Sequence, residues 1–139
     1  MQKPQAHVRV DLSAGCSIGP GKIALLEGIA RTGSLSAAAR SLGMSYRRAW
    51  LLLHSVNEAF QEPVAELSVG GKDGGGARLT AFGQELVSTY RDFETAVDAL
   101  AVRSFSGVRP NPGGLEGASE ARRPLRRSLA DPATRKREA

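Results

Sequence analysis

The 139-residue chain has one cysteine, two histidines and few aromatic residues, and each scarcity removes a class of explanation. A lone Cys16 forms no internal disulfide, so no cross-link reinforces the core. His7 and His54 lie on different stretches with no ligand set around them, so neither zinc nor any other metal is expected. No apolar run approaches the roughly 20 residues of a membrane span, and the N-terminus lacks the apolar core of a secretory signal. These absences predict a soluble, cytoplasmic protein with no membrane partner and a modest core of Leu, Val, Ile and Ala. Acid is missing locally as well. No Asp or Glu lies between Gly28 and Asn57, whereas Arg31, Arg40, Arg47 and Arg48 all do.

The overall charge of +5 says less than that local imbalance. From Ser104 onward eight Lys/Arg face four Asp/Glu, which leaves a net charge of only +1 on the first 103 residues. The basic isoelectric point therefore describes the end of the chain, and any argument for nucleic acid in the folded part rests on where its arginines cluster.

Taken in order, Val8, Val10 and Leu12 alternate with polar residues over His7–Leu12, the period of a half-buried strand. Pro20 suits the first turn of a helix whose inner face is Ile23, Leu26, Ile29 and Ala30, ending near Gly33. Leu25 lies off that stripe, either exposed or part of a partner surface. Ser34 or Ser36 caps a second, two-turn helix, with Ala37, Ala38 and Ala39 small enough for a close helix crossing. Gly43 stands where the chain must reverse, and Ser45 caps a third helix. Its inward face is Ala49, Leu52, Leu53 and Val56, and its opposite face offers Tyr46, Arg47, Trp50 and His54. Two helices joined by a tight glycine turn, the second opening on basic residues, form the pattern that presents a helix to the DNA major groove.

Two short runs, Val64–Val69 and Ala77–Leu79, flank the glycine-rich stretch from Gly70 to Gly76 and read as a β-hairpin. After a helix-turn-helix such a hairpin is a wing, with Lys72 and Arg78 as its cations. A phosphate-binding loop does not fit this glycine run: Asp73 follows Lys72 where Ser or Thr is needed, no glycine stands at the required upstream position, and no helix follows directly. No enzyme is expected. A long helix follows from Thr80 to about Arg103, on which Leu86, Tyr90, Phe93, Val97 and Leu100 recur at spacings of 4, 3, 4 and 3. That seam serves dimerisation, packing inside the protomer, or each along a different part of the helix. From Gly107 prolines, glycines and arginines displace apolar residues, the composition of a disordered tail.

The run from Ser34 to Phe60, with Ser45-Tyr46-Arg47-Arg48-Ala49-Trp50 opening its third helix, resembles the N-terminal domain of the ModE-type molybdate-responsive transcription regulators. The Gly-Gly-Lys wing and the Leu79-Thr80-x-x-Gly83 entry to the last helix complete the likeness, which covers roughly Val8 to Leu100. The resemblance implies a LysR-like winged helix-turn-helix, mainly α with a small β-hairpin, acting as a homodimer on a palindromic site in double-stranded DNA. The domain is expected over residues 1–104, its dimerisation helix over about 80–104, and the disordered Arg/Pro-rich tail over 105–139. Family members also carry C-terminal domains that bind molybdate. The residues after Gly107 match no such domain, so no cofactor is expected.

On this reading Arg47 and Arg48 address guanine, and Tyr46 addresses a base edge or a phosphate. Arg40, Lys72 and Arg78 hold phosphates, and Ser45 caps the helix that carries the contacts. Trp50 is open between stacking on DNA and packing within the fold. The competing reading is a winged-helix module that docks on another regulator without reading DNA.

Overall fold

A computed structural model describes residues 3–68 and 76–111. The chain begins with a small hairpin in which β1 (Val10–Ser13) pairs antiparallel with β2 (Cys16–Ile18). Gly15 makes the reversal possible at φ 78°, a left-handed conformation that costs other residues steric strain. The single strand expected over His7–Leu12 is therefore corrected in two ways. It starts later, and a second strand follows the break. A register shift between Asp11 and Ser13 interrupts the alternation, so Leu12 is exposed while Cys16 and Ile18 turn inward.

Helix α1 (Pro20–Thr32) is the centre of the fold, touching α2, α3, α4 and the wing. The apolar stripe expected on it fails at two residues. Leu25 is 1% exposed, packed toward the two helices that follow, and Ala30 lies on the surface. A helix covered from several sides needs a wider apolar arc than the single stripe of a surface helix, and tertiary contacts decide its edges. Gly33 closes α1 in a left-handed conformation at φ 71°, its N–H donating to the Ile29 carbonyl at 2.8 Å.

Helix α2 (Leu35–Ser41) is capped by Ser34, whose hydroxyl accepts from the Ala37 N–H at 3.2 Å. It crosses α1 closely: a Cβ on Gly28 would stand 3.0 Å from the Ala38 methyl. The chain turns at Gly43, φ 66°, into α3 (Tyr46–Ala59), which buries Ala49, Leu53 and Val56 against α1 and α2. The wing strands β3 (Ala65–Leu67) and β4 (Ala77–Leu79) pair antiparallel, Glu66 opposite Arg78.

Asn57 ties the wing to α3. Its Oδ1 accepts from the Val64 N–H at 2.8 Å and the Ala65 N–H at 3.3 Å, and its Nδ2 donates to the Ala65 carbonyl at 3.2 Å. The Ala77 N–H donates to the Gly33 carbonyl at 2.8 Å, so the other strand is held by the α1–α2 turn.

Helix α4 (Ala81–Ser104) is entered through Thr80, whose hydroxyl accepts from the Gly83 N–H at 3.0 Å and donates to the Pro63 carbonyl at 2.7 Å. Its first half packs inward. Tyr90 joins Ile18 and Ile23 in a second, smaller core, with Leu86 packed against both cores. The Tyr90 hydroxyl donates to the Val8 carbonyl at 2.7 Å, and the Ala6 N–H donates to Asp98 at 2.8 Å, which lays the N-terminal segment along α4. Arg91 clamps α4 to α1 by pairing with Glu27, and it also meets Glu94 at 2.6 Å. These elements belong to one compact unit that ends at Phe105. Among the described residues no helix is long and apolar enough to cross a membrane. The tail expectation from Pro112 onward lies outside the described residues.

Candidate nucleic-acid interface

The exposed side of α3 is built from its cap upward. Ser45 ends the turn in extended backbone, and its hydroxyl accepts from the Arg48 N–H at 3.1 Å. That bond satisfies one of the free donors of the first turn and fixes where the helix begins. Tyr46, Arg47 and Arg48 then follow on the surface within a single turn, because Ala49 takes the buried position beside them. Neither Arg47 nor Arg48 makes an ion pair among the described residues, and the first turn carries no acid. Two arginines thus leave the capped first turn side by side and exposed.

One turn further on, Trp50 is 40% exposed and lies flat on His54, ring centroids 4.9 Å apart and planes 8° from parallel. It takes no part in either core, which removes the reading of Trp50 as an interior packing residue. His54 meets Glu58 at 3.1 Å, so a ladder of three side chains at four-residue spacing runs up this flank. Leu51 is the residue that reading from the sequence passed over. It is half exposed, stands four residues after Arg47, and belongs to neither core. Helical spacing alone could have found it, since Leu52 and Leu53 fill the inward positions on either side of the core.

The remaining predicted contacts fall elsewhere. Arg40 is exposed on the last turn of α2 with no partner among the described residues. Arg78 pairs with Glu66 across the wing at 3.2 Å, so it is not the unengaged cation the sequence suggested. That pair is solvent-exposed on both sides, so it adds little to stability. Lys72 lies outside the described residues.

On α4 the predicted seam divides. Tyr90, 3% exposed and hydrogen-bonded within its own protomer, is corrected from a partner contact to a core residue. Burial pushes its phenol above the usual range, and Glu94 adds to the shift. Leu86 also packs inward, whereas Phe93 and Leu100 face solvent and Val97 is half-buried.

A family model described as bacterial regulatory helix-turn-helix protein, LysR family, matches residues 21–84, from the start of α1 to the first turn of α4. The chain carries a LysR-type helix-turn-helix domain in its N-terminal region. The molybdenum-pterin-binding protein MopB of Rhodobacter capsulatus is 44% identical over 86 residues, 62% of this chain and 32% of MopB. The molybdenum transport protein ModE of Azotobacter vinelandii is 34% identical over 102 residues, 70% of this chain and 38% of that protein. The DNA-binding transcriptional dual regulator ModE of Escherichia coli K12 is 42% identical over 71 residues, 51% of this chain and 27% of that regulator. The chain spans about a third of the length of these relatives. In the LysR-type domain here, α2 and α3 are the helix pair and β3–β4 the wing, so the exposed basic turn opens the second helix of the pair.

Proposed function

We propose that this chain is a sequence-specific DNA-binding transcriptional regulator that acts as a homodimer on a palindromic operator. The observation that carries the reading is the Ser45-capped start of α3, where Arg47 and Arg48 stand exposed on an acid-free first turn with no ion pair among the described residues. Bidentate donors at the N-terminal end of such a helix match the O6 and N7 acceptors of guanine in the major groove. Arg40 and the wing cations supply phosphate contacts, which set register and make affinity fall with salt by a slope of about −0.9 per phosphate neutralised.

Dimerisation is supported by α4, whose 24 residues extend about 36 Å and leave Phe93 and Leu100 exposed. A partner helix along the outer half would cover both. It would also set two recognition helices at the spacing of successive major grooves, about 34 Å. The link to molybdenum metabolism rests on the relatives named above and would run through the genes this protein controls.

The deciding experiment is a gel-shift titration on a duplex selected from a random-sequence pool and on a scrambled control. Arg47→Ala is expected to weaken binding to the selected duplex about tenfold or more, with a smaller loss on the scrambled one. Arg40→Ala is expected to weaken both alike and to reduce the salt slope by about one phosphate's worth. Selection that yields no preferred sequence, with affinity insensitive to salt, would reject DNA reading in favour of protein docking.

A further inference from the structure

We infer that Leu51 is a specificity residue that reads the 5-methyl group of a thymine in the major groove. The inference rests on the DNA-reading role of α3 proposed above and names what one more of its side chains recognises. Leu51 is 50% exposed in the middle of a helix whose core positions are filled by its neighbours Leu52 and Leu53. Among the described residues neither core includes this large aliphatic side chain. It follows Arg48 by three residues and Arg47 by four, so it shares their side of the helix one turn further on.

With Arg48 it lines a shallow groove of about 510 Å³ between α3 and the start of α1, with Met44, Leu52 and Lys22 around it. The apolar surface of Leu51 thus stands beside the Arg48 cation on the exposed side of α3.

The chemistry of the groove edge selects the ligand. Among the four bases only thymine presents an apolar group to the major groove, its C5 methyl; the other edges are hydrogen-bond donors and acceptors that leucine cannot satisfy. Geometry then limits where that thymine stands. Four residues of helix rise about 6 Å, against about 3.4 Å per nucleotide along one strand, so the thymine lies one or two base pairs from the guanine addressed by Arg47.

The test keeps all 139 residues of the chain and changes the DNA. In the duplex selected from the random pool, each thymine is replaced in turn by deoxyuridine, which removes only the methyl and preserves pairing. One replacement within two base pairs of a required guanine is expected to weaken wild-type binding about fourfold, the cost of one buried methyl. The Leu51→Ala variant is expected to bind the thymine and deoxyuridine duplexes equally, while far-UV circular dichroism and melting stay those of the wild type. Wild-type affinity indifferent to every replacement overturns the inference, as does a Leu51→Ala variant that keeps the full sensitivity. Selection of no preferred sequence overturns it by removing the DNA-reading role itself, and is told apart because no thymine duplex is then bound specifically.

Discussion

Replacing Gly83 with alanine should destabilise this domain severely, although alanine is the better helix former. A Cβ at Gly83 would stand 1.9 Å from the Val64 carbonyl oxygen and 2.9 Å from its carbon. Ordinary contact is near 3.4 Å, so backbone must move by about 1.5 Å. The opposing atoms are not the free end of a side chain. Val64 is fully buried, its N–H donates to Asn57 at 2.8 Å, and its carbonyl accepts from the Thr80 N–H at 3.0 Å. Displacement breaks the junction at which the wing meets α4.

Overpacking against backbone that cannot yield costs about 3 kcal/mol, a lost buried hydrogen bond about 1 kcal/mol more, and the gain in helix propensity returns about 1 kcal/mol. The net loss of about 3 kcal/mol lowers the melting temperature of a domain this size by roughly 10–20 °C. Urea and thermal melts followed by far-UV circular dichroism measure it. Gly21→Ala near the start of α1 is the control, because nothing lies within 4 Å of its added methyl. A Gly83→Ala protein as stable as Gly21→Ala, or more stable than wild type, would refute the packing argument.

Four further outcomes are expected. Asn57→Ala strands two wing N–H groups and a carbonyl, so it should cost about 2–3 kcal/mol by urea denaturation, with the wing rather than α3 losing hydrogen-exchange protection first. Tyr90 has a raised phenol pKa, so the folded state holds its proton after the unfolded chain releases it. The resulting stabilisation is full below the ordinary phenol value of about 10 and fades as pH rises through the folded one. Stability should accordingly fall more steeply above about pH 10 in wild type than in Tyr90→Phe, which also loses about 1 kcal/mol at neutral pH with the Val8 hydrogen bond. Glu27→Ala removes the carboxylate that pairs Arg91 across α1 and α4, but the pair is partly exposed, so the loss should be about 1 kcal/mol and shrink in high salt. Leu100→Glu on exposed α4 should leave the fold and melting intact and convert a dimer to a monomer in sedimentation velocity; an unchanged dimer would move the interface elsewhere.

Much of the architecture was legible because it is written in local chemistry. Pro20 opens α1, Gly33 and Gly43 mark the turns, and Ser34, Ser45 and Thr80 cap the helices that follow them. Each of these acts on backbone within four residues of itself, through its own backbone conformation or a side-chain hydroxyl. The arginines of α3 were legible for a related reason. Once Ala49, Leu53 and Val56 face inward, helical geometry leaves Arg47 and Arg48 outside.

What failed depended on neighbours. Leu25 is buried because α2 and α3 cover a side of α1 that its own periodicity leaves open, and Leu12 is exposed because a register shift in the hairpin re-aims it. Asn57 gave no signal, since its role exists only when the wing folds back onto α3. The sequence by itself determined the helices, their caps and the acid-free basic turn, all consequences of bonds and spacings within a few residues. Only the tertiary structure decided that Tyr90 is held inside the protomer, that Arg78 answers Glu66, and that Gly83 must be glycine. Each of those depends on a partner many residues away in sequence, brought within contact by the packing of the core.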